Sequence, residues 1–162
     1  MSIGVLDTPI GLLCVVTNDL GVTKVDFGRS SRVEGPIGTN SVAAVGHLDQ
    51  ALSQLGEYFA GKRQNFTVEL DRSGRHGFSG EVLHALESVP YGTTVSYGQL
   101  ASMSGRPKAF RAVGTIMGRN PIPVIVPCHR VLRSGGAVGE YGGGVMAKRW
   151  LLDLEEQAPH RM

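Results

Sequence analysis

One stretch of the chain, residues 122–131, constrains the fold and the chemistry more than any other. It reads Ile-Pro-Val-Ile-Val-Pro-Cys-His-Arg-Val. The β-branched residues 124–126 are typical of a buried extended segment, and Pro127 ends it because proline has no backbone N–H to donate. The sequence therefore predicts a buried extended element that ends directly before Cys128.

Cys128 is followed by an imidazole and a guanidinium. A free thiol has a pKa of about 8.5 and is mostly protonated at neutral pH, whereas a nearby base and a nearby positive charge favour the reactive thiolate. His129 and Arg130 supply both, which makes Cys128 a candidate nucleophile and His129 its candidate base. The alternative is a buried structural cysteine beside a surface histidine, because a free cysteine usually behaves as a small hydrophobic residue.

Length and composition describe an ordinary folded protein. With 162 residues and 41% hydrophobic content, the chain is long enough for one full core or two small domains. Its two cysteines, Cys14 and Cys128, are too few and too far apart for a disulfide framework, so a reducing cytoplasm is expected. No run approaches the roughly 20 apolar residues of a membrane span, and no signal peptide is apparent. Neither a membrane nor secretion is expected.

The N-terminal half is predicted to be a small α/β unit. Residues 11–17 and 22–27 are β-rich and are joined by a turn at 18–21, which favours an antiparallel hairpin. Residues 29–46 show no sustained period and are interpreted as a loop, with a missed strand left open. A helix from His47 to Gly61 and an alternating strand at 66–70 follow; the helix stripe is Leu48, Leu52, Leu55 and Phe59, and the strand residues are Phe66, Val68 and Leu70.

A polar, glycine-bearing stretch at residues 71–77 is a suitable linker. We therefore place an N-terminal α/β domain with its linker at residues 1–76 and a C-terminal domain at residues 77–162. Cys14 lies inside the first predicted strand without a neighbouring base, so it is expected to be structural.

The C-terminal half is predicted to be mostly helical. An apolar face marks a helix over residues 78–89, and Pro90 stops it. A second helix spans residues 97–103, and a third is predicted to have Pro107 as its first residue and to run through Met117. Two short helices with a glycine-bearing turn are typical of a helix-turn-helix, although any helical hairpin needs such a turn.

Basic residues cluster around the predicted helices and the cysteine. Between Glu87 and Glu140 there is no acidic residue, so a phosphate backbone is the expected partner, with a solvated basic face as the alternative. Arg111 is able either to reach a duplex or to pair with a carboxylate of the first domain. Small residues beside it would suit a groove or tight helix packing equally. The six basic residues are Arg106, Lys108, Arg111, Arg119, Arg130 and Arg133, and the small ones include Ala112 and Gly114.

The last elements complete a candidate site. Residues 134–144 are glycine-rich, and Tyr141 is their single aromatic residue. They predict a loop whose backbone amides can approach a ligand. The loop lacks the residue order of a nucleotide-binding phosphate loop. Residues 145–157 predict a helix, and Glu155 at the edge of its stripe either turns inward to orient His129 or is solvated. The predicted buried stripe is Met146, Trp150, Leu151 and Leu154.

Together these motifs resemble a known family. Residues 127–131 (Pro-Cys-His-Arg-Val), preceded by Asn-Pro-Ile-Pro at 120–123 and followed by Gly-Glu-Tyr-Gly-Gly-Gly at 139–144, closely resemble the signature of the O6-alkylguanine-DNA alkyltransferases, also called methylated-DNA-protein-cysteine methyltransferases. The resemblance spans residues 78–155. It implies a small ribonuclease-H-like α/β domain followed by a mostly helical domain with a helix-turn-helix.

The resemblance implies a chemistry for the cysteine. Cys128 would take the alkyl group from guanine O6 in double-stranded DNA and keep it as a stable thioether, so the protein would act once; O4-alkylthymine as a second substrate is left open. His129 would draw the thiol proton through a water, and Glu155 would orient it. No cofactor is implied. No metal is expected either, because Cys14 lacks the paired-ligand spacing of a zinc site.

The resemblance also assigns supporting residues. Tyr97 would donate a hydrogen bond toward the guanine, Asn120 would hold the turn that presents the cysteine, and Arg111 would fill the space of the extruded nucleotide. The helix-turn-helix would bind the minor groove of the DNA. The protein would act as a monomer, and cooperative binding to DNA is left open. The implied DNA-binding residues are Arg106, Lys108, Arg111, Ala112, Gly114 and Arg130; the implied pocket residues are Met117, Val131, Tyr141 and Gly142.

Two positions depart from the family pattern. Phe110 stands where relatives commonly carry a small residue, and Gly142 replaces a serine found in some of them, which leaves the tolerated size of the alkyl group open. Three rival functions also stay open: a cysteine hydrolase, a DNA-binding regulator without chemistry, and an alkyltransferase-like sensor of damage. The sensor proteins lack the reactive cysteine that this chain retains.

Overall fold

The computed structural model describes residues 1–28, 41–139 and 141–157. The chain divides into two compact units, Met1–Gly74 and Arg75–Met162. The predicted domain boundary after residue 76 lies two residues beyond this division. No described helix is both long enough and apolar enough to span a membrane.

The first unit contains a three-stranded antiparallel sheet in the order β1-β2-β3, formed by β1 (Ser2–Thr8), β2 (Gly11–Thr17) and β3 (Val22–Phe27). The hairpin of β2 and β3 confirms the prediction. Strand β1 was not predicted, because two of its apolar side chains, Ile3 and Val5, face outward and are 40% and 55% exposed. Its apolar residues therefore carry no signal of a buried face.

Helix α1 (Val42–Phe59) is capped by Ser41, whose side chain accepts a hydrogen bond from the Ala44 N–H. It begins five residues before the predicted start at His47, so the predicted loop is wrong for residues 42–46, and residues 29–40 lie outside the described chain. Its buried face also differs from the predicted stripe, because small alanines give a weak hydrophobic signal. The buried residues are Ala44, Ala51, Gln54, Leu55 and Tyr58, whereas Leu48, Leu52 and Phe59 are only partly buried.

The predicted strand at residues 66–70 is wrong. Within this range only Leu70 forms a β-bridge, which pairs it in parallel with Val22. Val68 is nevertheless buried, as the alternation of apolar residues predicted. The chain passes close to the sheet here, since a Cβ on Gly21 would lie 2.3 Å from the carbonyl oxygen of Glu69. Gly21 is needed at this crossing both for that space and for its φ of +147°.

The second unit is mostly helical, as predicted. It contains α2 (Gly77–Glu87), α3 (Tyr97–Met103), α4 (Phe110–Gly118) and α5 (Val145–Gln157). Two very short strands, β4 (Val95–Ser96) and β5 (Val131–Leu132), pair in parallel. This pairing fixes the start of α3 beside the segment that follows the cysteine motif.

Helices α3 and α4 form the predicted helix-turn-helix. Ser96 starts α3 with a capping box, in which its side chain and that of Gln99 each accept a hydrogen bond from the other residue's backbone N–H. Helix α4 begins at Phe110 rather than at Pro107, so Pro107 and Lys108 lie in the connecting turn. The turn is closed by a hydrogen bond from the Ala109 N–H to the Arg106 carbonyl.

Helix α5 is correctly predicted in extent, but its buried face is not the predicted one. Met146 is 86% exposed, and Trp150 and Leu154 are only partly buried. Two charged residues, Lys148 and Glu155, are buried instead, at 1% and 3% exposure. Hydrophobic periodicity misses this face because both charges have partners inside the protein. The buried residues of α5 are Ala147, Lys148, Leu151 and Glu155.

Candidate active site

The segment that leads to the cysteine is a tight turn rather than the predicted extended element. The Val126 N–H donates to the Ile122 carbonyl at 2.9 Å. Asn120 braces the turn from inside, because its Nδ2 donates to the Val126 carbonyl at 2.9 Å and its Oδ1 accepts from the Ile122 N–H at 3.1 Å. The predicted burial is confirmed, with Ile122 at 2% and Val126 at 0% exposure.

Val124 at the centre of this turn has a φ of 72°. A β-branched residue rarely adopts this left-handed conformation, and such strain persists only where the surroundings impose it. Val124 is 1% exposed, so its packing holds the backbone in place. The turn that presents the cysteine is therefore both braced and strained.

Cys128 opens a short 3-10 helix, Cys128–Arg130, and is 7% exposed. It lies in the wall of a cavity of about 1040 Å³, a volume at the upper end of the range that holds drug-sized ligands. Six other predicted site residues line this cavity, and seven lining residues were not predicted as site residues. The first group is Tyr97, Arg111, Gly114, Met117, Tyr141 and Gly142; the second is Gly98, Phe110, Thr115, Gly118, Arg119, Arg133 and Ser134.

Behind the cysteine, His129 and Glu155 form a hydrogen-bonded pair. Nε2 of His129 lies 2.6 Å from Oε2 of Glu155, and both side chains are buried. Burial by itself raises the pKa of Glu155, but the hydrogen bond and charge of His129, together with those of Arg130, lower it to about 2. Glu155 is therefore ionised at neutral pH and accepts the hydrogen bond.

This pairing fixes the state of the imidazole. Burial lowers the pKa of His129 below its ordinary value, against the raising effect of Glu155, so the ring is neutral at neutral pH. Since an ionised carboxylate only accepts, Nε2 carries the proton. Nδ1 has no hydrogen-bond partner within the described ranges, and its lone pair is available to take a proton.

The charge state of the cysteine differs from the sequence-based expectation. Burial raises the pKa of Cys128, while a hydrogen bond from Asn120 and the charge of Lys148 act to lower it. The resting group is therefore a thiol that must lose its proton during reaction. Arg130 does not supply the expected positive field, because its charge is paired with Glu155.

Lys148 is a site residue that the sequence reasoning missed. Its Nζ donates to the Val131 carbonyl at 2.7 Å, and the side chain is fully buried. Burial lowers the pKa of Lys148, whereas the nearby Cys128 raises it. The spacing of residues 148, 151 and 155 places the two buried charged residues of α5 on the same helix face as Leu151, and this spacing is the signal in the sequence that could have identified Lys148.

One predicted role is contradicted by the structure. Arg130, predicted to contact DNA, is 6% exposed, and its guanidinium donates to Glu155 and to the Val89 carbonyl. Val131, whose backbone the resemblance assigns to the base pocket, has a side chain that is 1% exposed and does not line the cavity. Its N–H donates to the Cys128 carbonyl, and its own carbonyl accepts from Lys148. Both residues support the site from behind.

The other predicted DNA-binding residues lie on the surface. Arg106, Lys108, Arg111 and Ala112 are exposed, and Gly114 is partly exposed. The Arg106 guanidinium lies 4.9 Å from the centre of the Phe78 ring. Among the residues that the structure describes, no group of three potential metal ligands comes together.

Comparison with known proteins gives matches along both halves of the chain. The model described as "6-O-methylguanine DNA methyltransferase, ribonuclease-like domain" matches residues 1–72, and the one described as "6-O-methylguanine DNA methyltransferase, DNA binding domain" matches residues 77–157. These matches confirm the predicted fold class.

Individual relatives agree. A methylated-DNA–protein-cysteine methyltransferase of Mycobacterium tuberculosis is 42% identical over 151 residues, covering 93% of this chain and 90% of the relative. One from Methanosarcina barkeri is 37% identical over 157 residues, covering 96% and 98%. The crystal structure of Mycobacterium tuberculosis OGT in complex with DNA is similar with a TM-score of 0.81 and 41% identity, covering 95% of this chain and 92% of that one. The chain therefore belongs to the 6-O-methylguanine DNA methyltransferase family.

Proposed function

We propose that this protein repairs DNA by transferring the alkyl group of O6-alkylguanine to Cys128 in one stoichiometric, irreversible step. The observation that carries the proposal is the position of Cys128, which lies in the wall of a large cavity with a neutral His129 and an ionised Glu155 behind it. This arrangement provides a nucleophile, a base and a space for an extruded nucleobase.

The transfer is a displacement at the alkyl carbon. The sulfur of Cys128 forms the new bond to carbon, the bond from carbon to O6 breaks, and its electron pair remains on the guanine. The thiol proton passes through a water to Nδ1 of His129, and Glu155 stabilises the resulting imidazolium. Nothing in the site hydrolyses a thioether, so each chain acts once.

Three further residues support this step. The charge of Lys148 stabilises the thiolate as it forms, because it acts to lower the pKa of Cys128. Asn120 holds the turn through its two backbone hydrogen bonds. Tyr97 lines the cavity and donates a hydrogen bond toward the guanine as negative charge develops there.

The DNA is held by the helix-turn-helix in its minor groove. The exposed cations Arg106 and Lys108 bind phosphates, while the small residues Ala112 and Gly114 let α4 approach the groove closely. Arg111, exposed at the cavity, fills the space of the extruded nucleotide. The protein acts as a monomer in the cytoplasm, where its two free thiols remain reduced.

The test is the intact mass of the protein after mixing with a duplex that carries O6-methylguanine. We expect one added methyl group per chain, located on Cys128 by peptide mapping, and no further product with excess DNA. Repeated turnover would favour a cysteine hydrolase, and unchanged mass with tight DNA binding would favour a regulator. Cys14→Ser is the matched control and should still gain one methyl group.

A further inference from the structure

One exposed aromatic residue has no role in the proposed reaction. Phe110 is the first residue of α4 and is 51% exposed, and it borders the same cavity as Cys128 and Arg111. It is the only large apolar side chain of α4 that is exposed. Contacts within the protein therefore leave about half of this side chain exposed to solvent.

The surroundings of Phe110 match a nucleic acid. The exposed cations Arg106, Lys108 and Arg111 lie within four residues of it along the chain, and no acidic residue occurs between Glu87 and Glu140. An aromatic ring among cations is the usual platform on which a base stacks while phosphates are bound nearby. Charge complementarity thus identifies DNA as the occupant of this surface.

The rest of the exposed face of α4 allows the ring to reach a base. Ala112 and Thr115 are exposed, and a Cβ on Gly114 would meet no atom within 4 Å. These short side chains let the helix backbone lie deep in a minor groove. A phenyl ring at the start of such a helix then extends beyond these short side chains, as apolar wedges do in proteins that unstack a base step.

We propose that Phe110 enters the duplex beside Arg111 and stacks on the base that flanks the extruded guanine. Arg111 occupies the vacated position, and Phe110 replaces the stacking that the flanking base loses. The inference rests on the proposed function and adds to it a second residue that stabilises the opened duplex. Phe110 acts on the DNA rather than on the transferred alkyl group.

The experiment compares the rate of methyl transfer from three substrates. They are O6-methylguanine within a duplex, within the same oligonucleotide as a single strand, and as the free base. For Phe110→Ala we expect the ratio of duplex rate to free-base rate to fall about tenfold, the size of effect that loss of one base–aromatic stack produces. Phe110→Trp should restore the ratio, and Phe110→Leu should give an intermediate value.

Met103→Ala is the matched control, because Met103 is 48% exposed on α3 and does not line the cavity. Its ratio of duplex rate to free-base rate should equal that of the wild type.

Two outcomes would overturn the proposal. Equal losses of the transfer rate of Phe110→Ala on all three substrates would place Phe110 in the base pocket, and an unchanged ratio in Phe110→Ala would exclude the stacking role. If Phe110→Ala does not fold, the ratios of the Leu and Trp variants decide. A wild-type protein that takes no methyl group from any substrate would instead refute the proposed function itself.

Discussion

Arg130 binds Glu155 through two hydrogen bonds, from Nε to Oε1 at 2.8 Å and from Nη2 to Oε2 at 3.0 Å. Both residues are buried, and the same carboxylate also pairs with His129. Removal of one partner from a buried ion pair leaves an uncompensated charge, which destabilises a protein by about 3–5 kcal/mol. The carboxylate that is hydrogen-bonded to His129 therefore also stabilises the fold.

Glu155→Gln should lower the free energy of unfolding by about 3 kcal/mol, because Arg130 then keeps a buried charge without a counterion. The same variant should slow methyl transfer, since a neutral amide does not stabilise the His129 imidazolium. Urea denaturation and single-turnover kinetics measure the two effects. Glu156→Gln, on the exposed neighbour, should change neither; an equal loss of stability there would contradict the explanation.

Acid should destabilise the wild type through Glu155 in a defined window. Its pKa falls from 4.5 to about 2 on folding, so the stabilisation is complete above about pH 4.5 and is lost as the pH falls toward 2. The shift corresponds to about 3 kcal/mol at most. The free energy of unfolding measured between these pH values should fall more steeply for the wild type than for Glu155→Gln, and parallel curves would refute this assignment.

Lys148→Gln should shift the rate–pH profile of Cys128 to higher pH, because the variant lacks the charge that acts to lower the pKa of the thiol. At neutral pH we expect a rate roughly tenfold lower, which corresponds to about 1.4 kcal/mol on the barrier. Single-turnover transfer across pH 6 to 10 provides the measurement. Arg149→Gln, on the adjacent exposed residue, is the control; a profile of Lys148→Gln that overlays the wild type excludes the role.

The strained turn predicts a reversed order of two substitutions at Val124. Alanine normally stabilises a protein relative to glycine, but at a φ of 72° an L side chain costs about 1–2 kcal/mol that glycine avoids. Both variants lose the two γ-methyl groups of valine, so they differ only in the Cβ methyl group and in the backbone conformations that each residue allows. Val124→Gly should be the more stable by about 1 kcal/mol in thermal unfolding, and the opposite order would show that the turn is unstrained.

Cys128→Ser should retain affinity for a duplex with O6-methylguanine while losing all methyl uptake, because a serine hydroxyl is a far weaker nucleophile at neutral pH. Fluorescence anisotropy measures the binding, and intact mass measures the uptake. Binding that disappears with the sulfur would mean that Cys128 holds the DNA rather than reacting with it.

Local patterns in the sequence predicted much of the second unit. The apolar spacing of α2, the glycine-bearing turn after α3 and the cysteine motif are each recognised over a few residues, and the structure has the corresponding helices and site. The sequence left two options for Glu155, which were pairing with His129 or exposure to solvent. The 2.6 Å distance between the two side chains shows that they pair.

The features that the sequence did not reveal depend on tertiary contacts. The inward side chains of Lys148 and Arg130 have partners far away in the chain, and charge alone suggests exposure for both. The left-handed Val124 is held by its packing, so β propensity predicted an extended segment where a turn exists. In each case a long-range contact overrides a local preference.

The mutual burial of His129, Arg130 and Glu155 has a consequence for selectivity. Each of these side chains has its hydrogen-bond partner within this group, so no group of a substrate is needed to hold them in this arrangement. If the proposed reaction holds, discrimination between lesion and normal guanine depends on which base leaves its helix and carries a carbon open to attack by Cys128 once its thiol has lost its proton.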